Sequence, residues 1–502
     1  MTHPSPDPSG GPSTGLVRQM GLLGLAATGI CSMLGAGINV FPIMIQRNVP
    51  GIGPNVLSAF AFAATPAIFA ALAYAILSSA MPRAGGSYVF ASRGLNPYLG
   101  FVASFSQWFG LSVAIGVVAY LIVPFVRDVV AALGLEGAAA ALDTGVVRVG
   151  LALALLWIFV GVNLRGVRSY ERTLVPMMFV MFALGAIVIV AGFAFDHADF
   201  AAALLDAEGV APPGGDAAAL RPWTFLAAAA VFFASFIGFD AIAQAGGEAH
   251  DPGRALPRAI AIAVLVVGTY YMLFTAAIYH AVPWQFMAER AQTQDLTAPG
   301  LLGYVLPSGW TVAIVAGAAI ALTNDLPAML LSVSRLMFAW AEDGIFPRRF
   351  AAVHPRWHTP HVAIVGSACV ATVGILGSHF AGDFFLGIDI LVTSMLVNFL
   401  LMCVCVLTLP GRNPSIAARI GVLPARGAQL VVGAVGTVLL GLFLVVHIRK
   451  DLTAEVGAWY FHSTWLWVAV MALGSLIYLR ERRALAASGV DVDAVFGELP
   501  PE

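Results

Sequence analysis

Long apolar runs follow one another along almost the whole chain, and they restrict its fold more than any other feature. About 20 predominantly apolar residues are enough for an α-helix to cross the hydrocarbon core of a bilayer. A window of that length finds twelve such runs in the 502 residues, of which 60% are hydrophobic and 10% charged. A soluble domain carries about 25% charged residues. The chain is therefore predicted to be an all-α polytopic membrane protein.

The predicted spans are joined mostly by short connections. Their limits are 19–46, 54–80, 97–130, 146–164, 172–195, 222–247, 256–282, 308–340, 360–378, 383–409, 427–448 and 458–480. Residues 1–18 are rich in Pro, Ser and Gly and are predicted to form a disordered cytoplasmic tail. Residues 19–482 are expected to form one transmembrane domain, and residues 483–502 a second cytoplasmic tail.

The distribution of positive side chains predicts the orientation. Of the 25 Lys and Arg residues, 17 fall on the side of the N-terminus, seven fall on the other side, and Arg335 lies within the eighth span. Cytoplasmic loops carry the excess of Lys and Arg in membrane proteins. Both termini are therefore expected in the cytoplasm. The chain is expected in the cell membrane, which is the inner membrane in cells that have two.

Two of the apolar runs are interrupted at corresponding places in the two halves of the chain. Ser-Met-Leu-Gly-Ala-Gly-Ile occupies 32–38, and Ser-Phe-Ile-Gly-Phe-Asp occupies 235–240. Paired interruptions of this kind point to a binding site at mid-membrane, where half-helix N-termini suit a carboxylate and free carbonyls suit an ammonium. The pattern favours a small zwitterion such as an α-amino acid as ligand. Packing of small residues between helices is the alternative interpretation.

Five motifs in order resemble those of the amino acid–polyamine–organocation family, and most closely its amino-acid permeases. They lie at 32–38, 82–88, 232–240, 248–257 and 334–347. The resemblance implies a leucine-transporter-like fold with spans 1 and 6 broken. In that fold, residues 19–195 and 222–410 would form two inverted repeats of five helices. Residues 427–480 would form two peripheral helices.

The resemblance also implies which residues bind substrate. Backbone N–H groups of Ala36, Gly37 and Ile38 would meet a carboxylate, and carbonyls near Met33, Phe233 and Phe236 would meet an ammonium. Phe236 or Phe233 would close over the substrate from outside. The predicted binding residues are Met33, Gly35, Ala36, Gly37, Ile38, Asn39, Phe233, Phe236 and Ile237.

Three features depart from the family pattern, and one of them is Ile76 in span 2, where the family often has a glutamate. Asn39 stands where the family usually has an aromatic residue. Some proton-coupled members have a lysine in span 5, whereas the single lysine of this chain is Lys450. That coupling device is therefore absent.

Charged residues at membrane depth are functional candidates because their insertion costs at least ~2.5 kcal/mol each. Asp240, Asn324 and Asp325 are predicted to take part in coupling, with hydrogen bonding between helices as the alternative. Glu248 and Arg83 are predicted to form an inner gate with Arg254, while Phe236 would act on the outer side. Anchoring of the topology is the alternative for the charged residues.

These features favour a secondary active transporter of amino acids that works by alternating access. Proton symport and exchange are both open, and sodium is a further candidate ion. A polyamine or organic-cation transporter and a non-transporting amino-acid sensor are the alternatives. No GxxxxGK[ST] or HExxH motif occurs, and the one GxSxG match, at 11–15, lies in the polar N-terminal tail and not on a strand-to-helix turn, so neither an ATP-driven pump nor an enzyme is expected. We expect no catalytic centre, metal site or cofactor. The net charge of −2 argues against nucleic-acid binding, and monomer and homodimer both stay open.

Overall fold

The computed structural model describes residues 15–35, 37–216, 219–294, 296–381, 384–489 and 491–500. Within these residues, twelve helices are long and apolar enough to cross a membrane, which confirms the predicted polytopic all-α class. Most of the predicted N-terminal tail, residues 1–14, lies outside the described residues. The helices, numbered span 1 to span 12 in chain order, are Leu22–Asn48, Gly53–Ala80, Pro97–Ala132, Gly145–Leu164, Val167–Ala194, Pro222–Gln244, Pro252–Ala281, Gly309–Glu342, His361–Phe380, Leu386–Arg412, Arg426–Thr453 and Ser463–Ala487.

Short helices connect the spans. One of them, the loop helix Gly86–Gly94, follows span 2 and is buried along its whole length. Another, Val492–Gly497, lies within the predicted tail 483–502 and packs against the loop helix and span 12. The remaining α-helical segments are Glu136–Leu142, His197–Glu208, Trp284–Arg290, Ala298–Leu302 and Pro414–Ala417.

The spans divide into an inner and an outer group. Spans 1, 3, 6, 8 and 10 are mostly buried, whereas spans 4, 5, 9 and 12 expose most of their residues. Lipid accepts apolar side chains, so an outer helix can be apolar on every face and still be stable. Polar side chains such as Gln107 and Asn398 are found in the buried group, where neighbouring helices supply hydrogen-bond partners. The site is therefore expected where these five spans meet.

Two of the inner helices are longer than the membrane is thick. Span 3 has 36 residues, which at ~1.5 Å per residue gives about 54 Å. The hydrocarbon core is only ~30 Å thick, so a helix of this length tilts or protrudes. The sequence predicts this excess length for both span 3 and span 8.

The division into two inverted repeats stays a prediction.

Candidate functional site

The helical structure of spans 1 and 6 is interrupted where the sequence predicts it. Span 1a ends at Met33 and span 1b begins at Gly37. Span 6a ends at Phe232, a 3-10 turn follows over Phe233–Phe236, and span 6b begins at Asp240. Both interruptions lie within buried stretches of the chain.

The two breaks contact each other through their backbones. A Cβ atom on Gly238 would lie 2.4 Å from the backbone carbon and oxygen of Ser32, so only glycine fits at this point. Gly238 also has a φ of +136°, which residues with side chains rarely adopt. The close approach therefore needs glycine twice, once for space and once for conformation.

A cavity of about 50 Å³ lies against the two breaks and is walled by spans 1, 3, 6, 7, 8 and 10. Five of the residues predicted for binding or coupling line it. These are Met33, Gly35, Gly37, Ile237 and Asp325. Ala36 falls outside the described residues.

Three polar atoms in the cavity wall have no hydrogen-bond partner among the described residues. They are Ser32 Oγ, Ser235 Oγ and Asp325 Oδ1, and all three are buried. Buried polar groups are almost always bonded, so a group of three unpaired atoms in one wall indicates a place for a polar ligand. The two serines belong to the two breaks, one to each.

Asp325 brings a carboxylate to the break in span 1. A Cβ atom on Gly35 would lie 1.8 Å from Asp325 Oδ2, so glycine is needed here to make room for the acid. Asp325 is 3% exposed, and no Arg, Lys or His is among the described residues of the cavity wall. Its neighbour Asn324 points elsewhere and donates to Cys31 Sγ at 2.8 Å. An ionised Asp325 thus makes the cavity attractive to a cation.

Asp240 lies in a hydrogen-bonded network instead of the cavity wall. Its Oδ1 accepts from the Gly238 backbone N–H at 3.1 Å, and its Oδ2 accepts from the side-chain amide of Gln107. Gln107 accepts in turn from Ser87 of the loop helix, and Gln244 donates to Ser87 at 3.1 Å. The network joins spans 3 and 6 to the loop helix, and it holds the turn at Gly238.

The structure places several predicted binding residues outside the cavity. Ile38 and Asn39 line a separate cavity of about 20 Å³ near span 5. The ring of Phe233 packs against Phe399 and Phe443. The ring of Phe236 packs against Phe60 of span 2, with ring centroids 5.5 Å apart. None of these four residues is among the described residues that line the cavity at the breaks, and their predicted contacts with substrate stay a prediction.

Two aromatic residues that were not predicted stand closer to that place. Phe41 of span 1b and Tyr271 of span 7 both line the cavity. The Tyr271 hydroxyl donates to the carbonyl of Met33, so this carbonyl, expected to meet an ammonium, already has a protein donor. The sequence gives only a weak signal for Phe41, because it is one of 32 Phe residues in the chain.

The predicted gate residue Glu248 has its ion partner in span 8. Arg335 donates to Glu248 through Nη2 at 2.6 Å and Nε at 3.1 Å, and both side chains are almost fully buried. The backbone carbonyl of Glu248 accepts from the N–H groups of Gln19 and Met20 at 2.9 and 2.8 Å. The chain ahead of span 1 is thereby fastened to the loop between spans 6 and 7.

The other predicted gate residue, Arg83, lies beside the loop helix. Its Nε donates to the backbone carbonyl of Pro500 at 3.0 Å. A second buried ion pair stands close by, between Arg93 of the loop helix and Asp343 at the end of span 8, at 2.5 Å. Burial and the neighbouring Asp343 charge raise the pKa of Tyr88, which therefore stays protonated and donates to Asp343 at 2.7 Å. Two buried ion pairs, Arg335–Glu248 and Arg93–Asp343, therefore lie on this side of the bundle.

Comparison with known proteins shows the family. The family model described as amino acid permease matches residues 20–479. An uncharacterized transporter of Mycobacterium tuberculosis is 29% identical over 371 residues, which cover 72% of this chain and 76% of the relative.

Two further relatives have names that state different substrates. The low-affinity putrescine importer PlaP of Escherichia coli is 26% identical over 354 residues, or 69% of this chain and 70% of the relative. The branched-chain amino acid permease BcaP of Bacillus subtilis is 28% identical over 361 residues, or 69% and 72%. Because the family match runs across nearly the whole chain, the protein belongs to the amino acid permeases of the amino acid–polyamine–organocation family, and it is a multi-pass membrane transporter.

Proposed function

We propose that the protein carries a small amino compound, in the first place an amino acid, across the cell membrane by alternating access. The observation that carries the proposal is the meeting of two helix breaks at a cavity with three unpaired polar atoms. Discontinuous helices at mid-membrane supply N–H groups for anions and carbonyls for cations, as transport requires. The excess of Lys and Arg supports an orientation with both termini in the cytoplasm.

The small volume of the cavity supports alternating access. At about 50 Å³ it lies well below the ~300–1,000 Å³ of ordinary ligand pockets. The structure therefore resembles an occluded state, and substrate entry requires the surrounding helices to move. The paired charges around Glu248 and Asp343 would separate when the site opens to their side.

Asp325 is proposed to hold the amino group of the substrate. A buried carboxylate with an unpaired oxygen gains most from a hydrogen-bonding cation, and an ammonium supplies both the charge and the donors. The same residue is our first candidate for proton coupling, ahead of Asp240, because both Asp240 oxygens are already bonded. Exchange without a coupled ion is the alternative mode.

A polyamine or organic cation is the second candidate substrate, and the position of Asp325 favours it. The carboxylate stands beside Gly35, close to the N-terminus of span 1b, where an amino acid would place its own carboxylate. Two carboxylates held close together repel each other unless one of them is protonated. A diamine has no such group, and one of the relatives is named as a putrescine importer.

Counterflow into proteoliposomes tests these proposals. Vesicles are preloaded with one unlabelled compound at a time, and uptake of the same labelled compound is measured. Neutral amino acids, arginine, lysine, putrescine and agmatine would be compared. Accumulation above protein-free vesicles identifies the substrate. No accumulation of any amino compound by folded protein would overturn the assignment.

Carboxylate variants test the role of Asp325. Asp325→Asn is expected to abolish counterflow of the identified substrate, or to remove the dependence of net substrate uptake on a proton gradient. Asp389→Asn is the matched control, because Asp389 is also within a span but is not among the described residues of the cavity wall. Equal transport by the Asp325 and Asp389 variants would argue against the assignment.

A further inference from the structure

A large apolar recess in the described part of the bundle opens sideways, between spans 2 and 7. It has a volume of about 660 Å³, more than ten times that of the cavity at the breaks. Its span 2 wall is made largely of alanines, among them Ala61 and Ala64, whose small side chains leave the space open. We call this recess the lateral groove.

The position of the lateral groove decides what can fill it. Its lining runs from Ala61 to Ala75 of span 2 and from Ile260 to Leu273 of span 7, so it lies in the middle of both helices and at hydrocarbon depth. Thr269 is its single polar lining residue among those described. Leu265 at its rim is 71% exposed, so the groove is continuous with the lipid-facing surface. Water and charged solutes are unfavourable at this depth, whereas a hydrocarbon chain is not.

The floor of the lateral groove is Phe236, a residue of the break in span 6. Phe236 packs edge-on against Tyr271, with ring centroids 6.1 Å apart. Tyr271 in turn donates its hydroxyl to the Met33 carbonyl at the break in span 1. A molecule in the groove would therefore be one side chain away from a residue that lines the cavity.

We propose that the lateral groove binds one acyl chain of a bilayer phospholipid, which packs against Phe236 and supports the unwound part of span 6. The 3-10 turn Phe233–Phe236 is short and carries few helical hydrogen bonds, so contacts of its side chains determine how firmly it is held. An acyl chain supplies such contacts from the membrane side. The inference does not depend on which substrate is transported.

Photolabelling in a defined bilayer tests the inference. The protein is reconstituted into phosphatidylethanolamine and phosphatidylglycerol vesicles with a trace of phosphatidylglycerol that carries a diazirine midway along one acyl chain. After irradiation, labelled peptides are located by mass spectrometry. Adducts are expected on 61–75 and 260–273 at several-fold higher yield than on the span 11 surface around Val438 and Val445, which is also exposed to lipid.

Two groove-filling variants make the result specific. A Cβ atom on Gly268 would lie 3.9 Å from the Phe236 ring, so Gly268→Leu places a side chain inside the groove without a collision at its first atom. Ala64→Leu fills the groove from the other helix. Either variant that remains folded is expected to lower groove labelling several-fold, while Val438→Leu leaves it unchanged. Labelling of the groove no stronger than that of span 11, or unaffected by both filling variants, would overturn the inference.

Discussion

Two acidic residues within the spans look alike in the sequence and differ in their surroundings. Asp240 shares its oxygens between a backbone N–H and the Gln107 amide, and it fixes the turn at Gly238. Asp325 keeps one oxygen without a partner and faces the cavity. A fully bonded carboxylate is suited to positioning, whereas an unpaired one is suited to binding a cation or a proton. The sequence predicts coupling for both, and we propose Asp325 first because one of its oxygens has no partner among the described residues.

At Gly238, we predict that replacement by alanine disrupts the contact between the breaks. The added Cβ would meet the Ser32 backbone at 2.4 Å, and the φ of +136° is strained for alanine. Strain of this kind alone costs ~1–3 kcal/mol. Gly238→Ala should therefore lower the thermal unfolding temperature and abolish counterflow. Gly161→Ala in span 4 is the control, since nothing lies within 4 Å of its Cβ position. Equal stability of the two variants would contradict the prediction.

Gly35→Ala is expected to act through Asp325. The new methyl group would overlap Asp325 Oδ2, so the carboxylate must leave its place and transport should be lost. Combining Gly35→Ala with Asp325→Ala removes the overlap, and the double variant should recover thermal stability without recovering transport. Non-additive effects of this size are typical of residues in contact. Strictly additive losses of stability would show that the two positions do not meet.

Sequence patterns located the breaks but not all the side chains around them. The interruptions at 32–38 and 235–240 are visible because glycine and polar residues replace an apolar period. Where Phe236 and Asn39 point depends on backbone angles in the unwound segments, to which neither helical nor strand periodicity applies. Both were predicted to face substrate, yet Phe236 lines the lateral groove and Asn39 a neighbouring cavity.

At the scale of whole helices, the length of an apolar run predicts a span well, whereas the sequence says little about which helices contact each other. Span 6 was expected over 222–247 and is found over Pro222–Gln244, because residues Gly246–Glu248 form a separate 3-10 turn. The partner of Glu248 could not be read from the sequence, since Arg335 lies 87 residues away and many arginines compete for the role. Only the packing of span 8 against span 6b brings the two together.

The buried pair between Glu248 and Arg335 should behave differently from an exposed one. Removing one partner leaves an uncompensated buried charge, which costs ~3–5 kcal/mol. Glu248→Gln and Arg335→Met should each lower the unfolding temperature more than the double variant does. Asp143→Asn, which breaks an exposed pair with Arg127, should cost at most ~1 kcal/mol. Thermal unfolding in detergent measures all four, and equal effects of the buried and exposed changes would refute the difference.

Over the whole molecule, three chain segments converge on the side that carries the paired charges. The residues before span 1 bond to the Glu248 carbonyl, the loop helix supplies Arg93 to Asp343, and the C-terminal segment 491–500 lies across the loop helix. Arg93 Nε donates to the Glu498 carbonyl at 3.0 Å, and its guanidinium lies over the Phe496 ring. These contacts join sequence positions about 400 residues apart, so no local pattern could reveal them.

Truncation after Ala487 should loosen this side of the molecule without unfolding the bundle. The removed carbonyls of Glu498 and Pro500 serve Arg93 and Arg83, so their loss opens the Arg93–Asp343 pair to water and weakens its attraction. Deuterium uptake by Gly86–Gly94 is therefore expected to rise, while Trp284–Arg290, which lies away from this segment, keeps its rate. If the C-terminal segment also holds the paired charges closed, counterflow by the truncated chain should be faster. Unchanged exchange in the loop helix would mean that the spans packed around it protect it without the C-terminal segment.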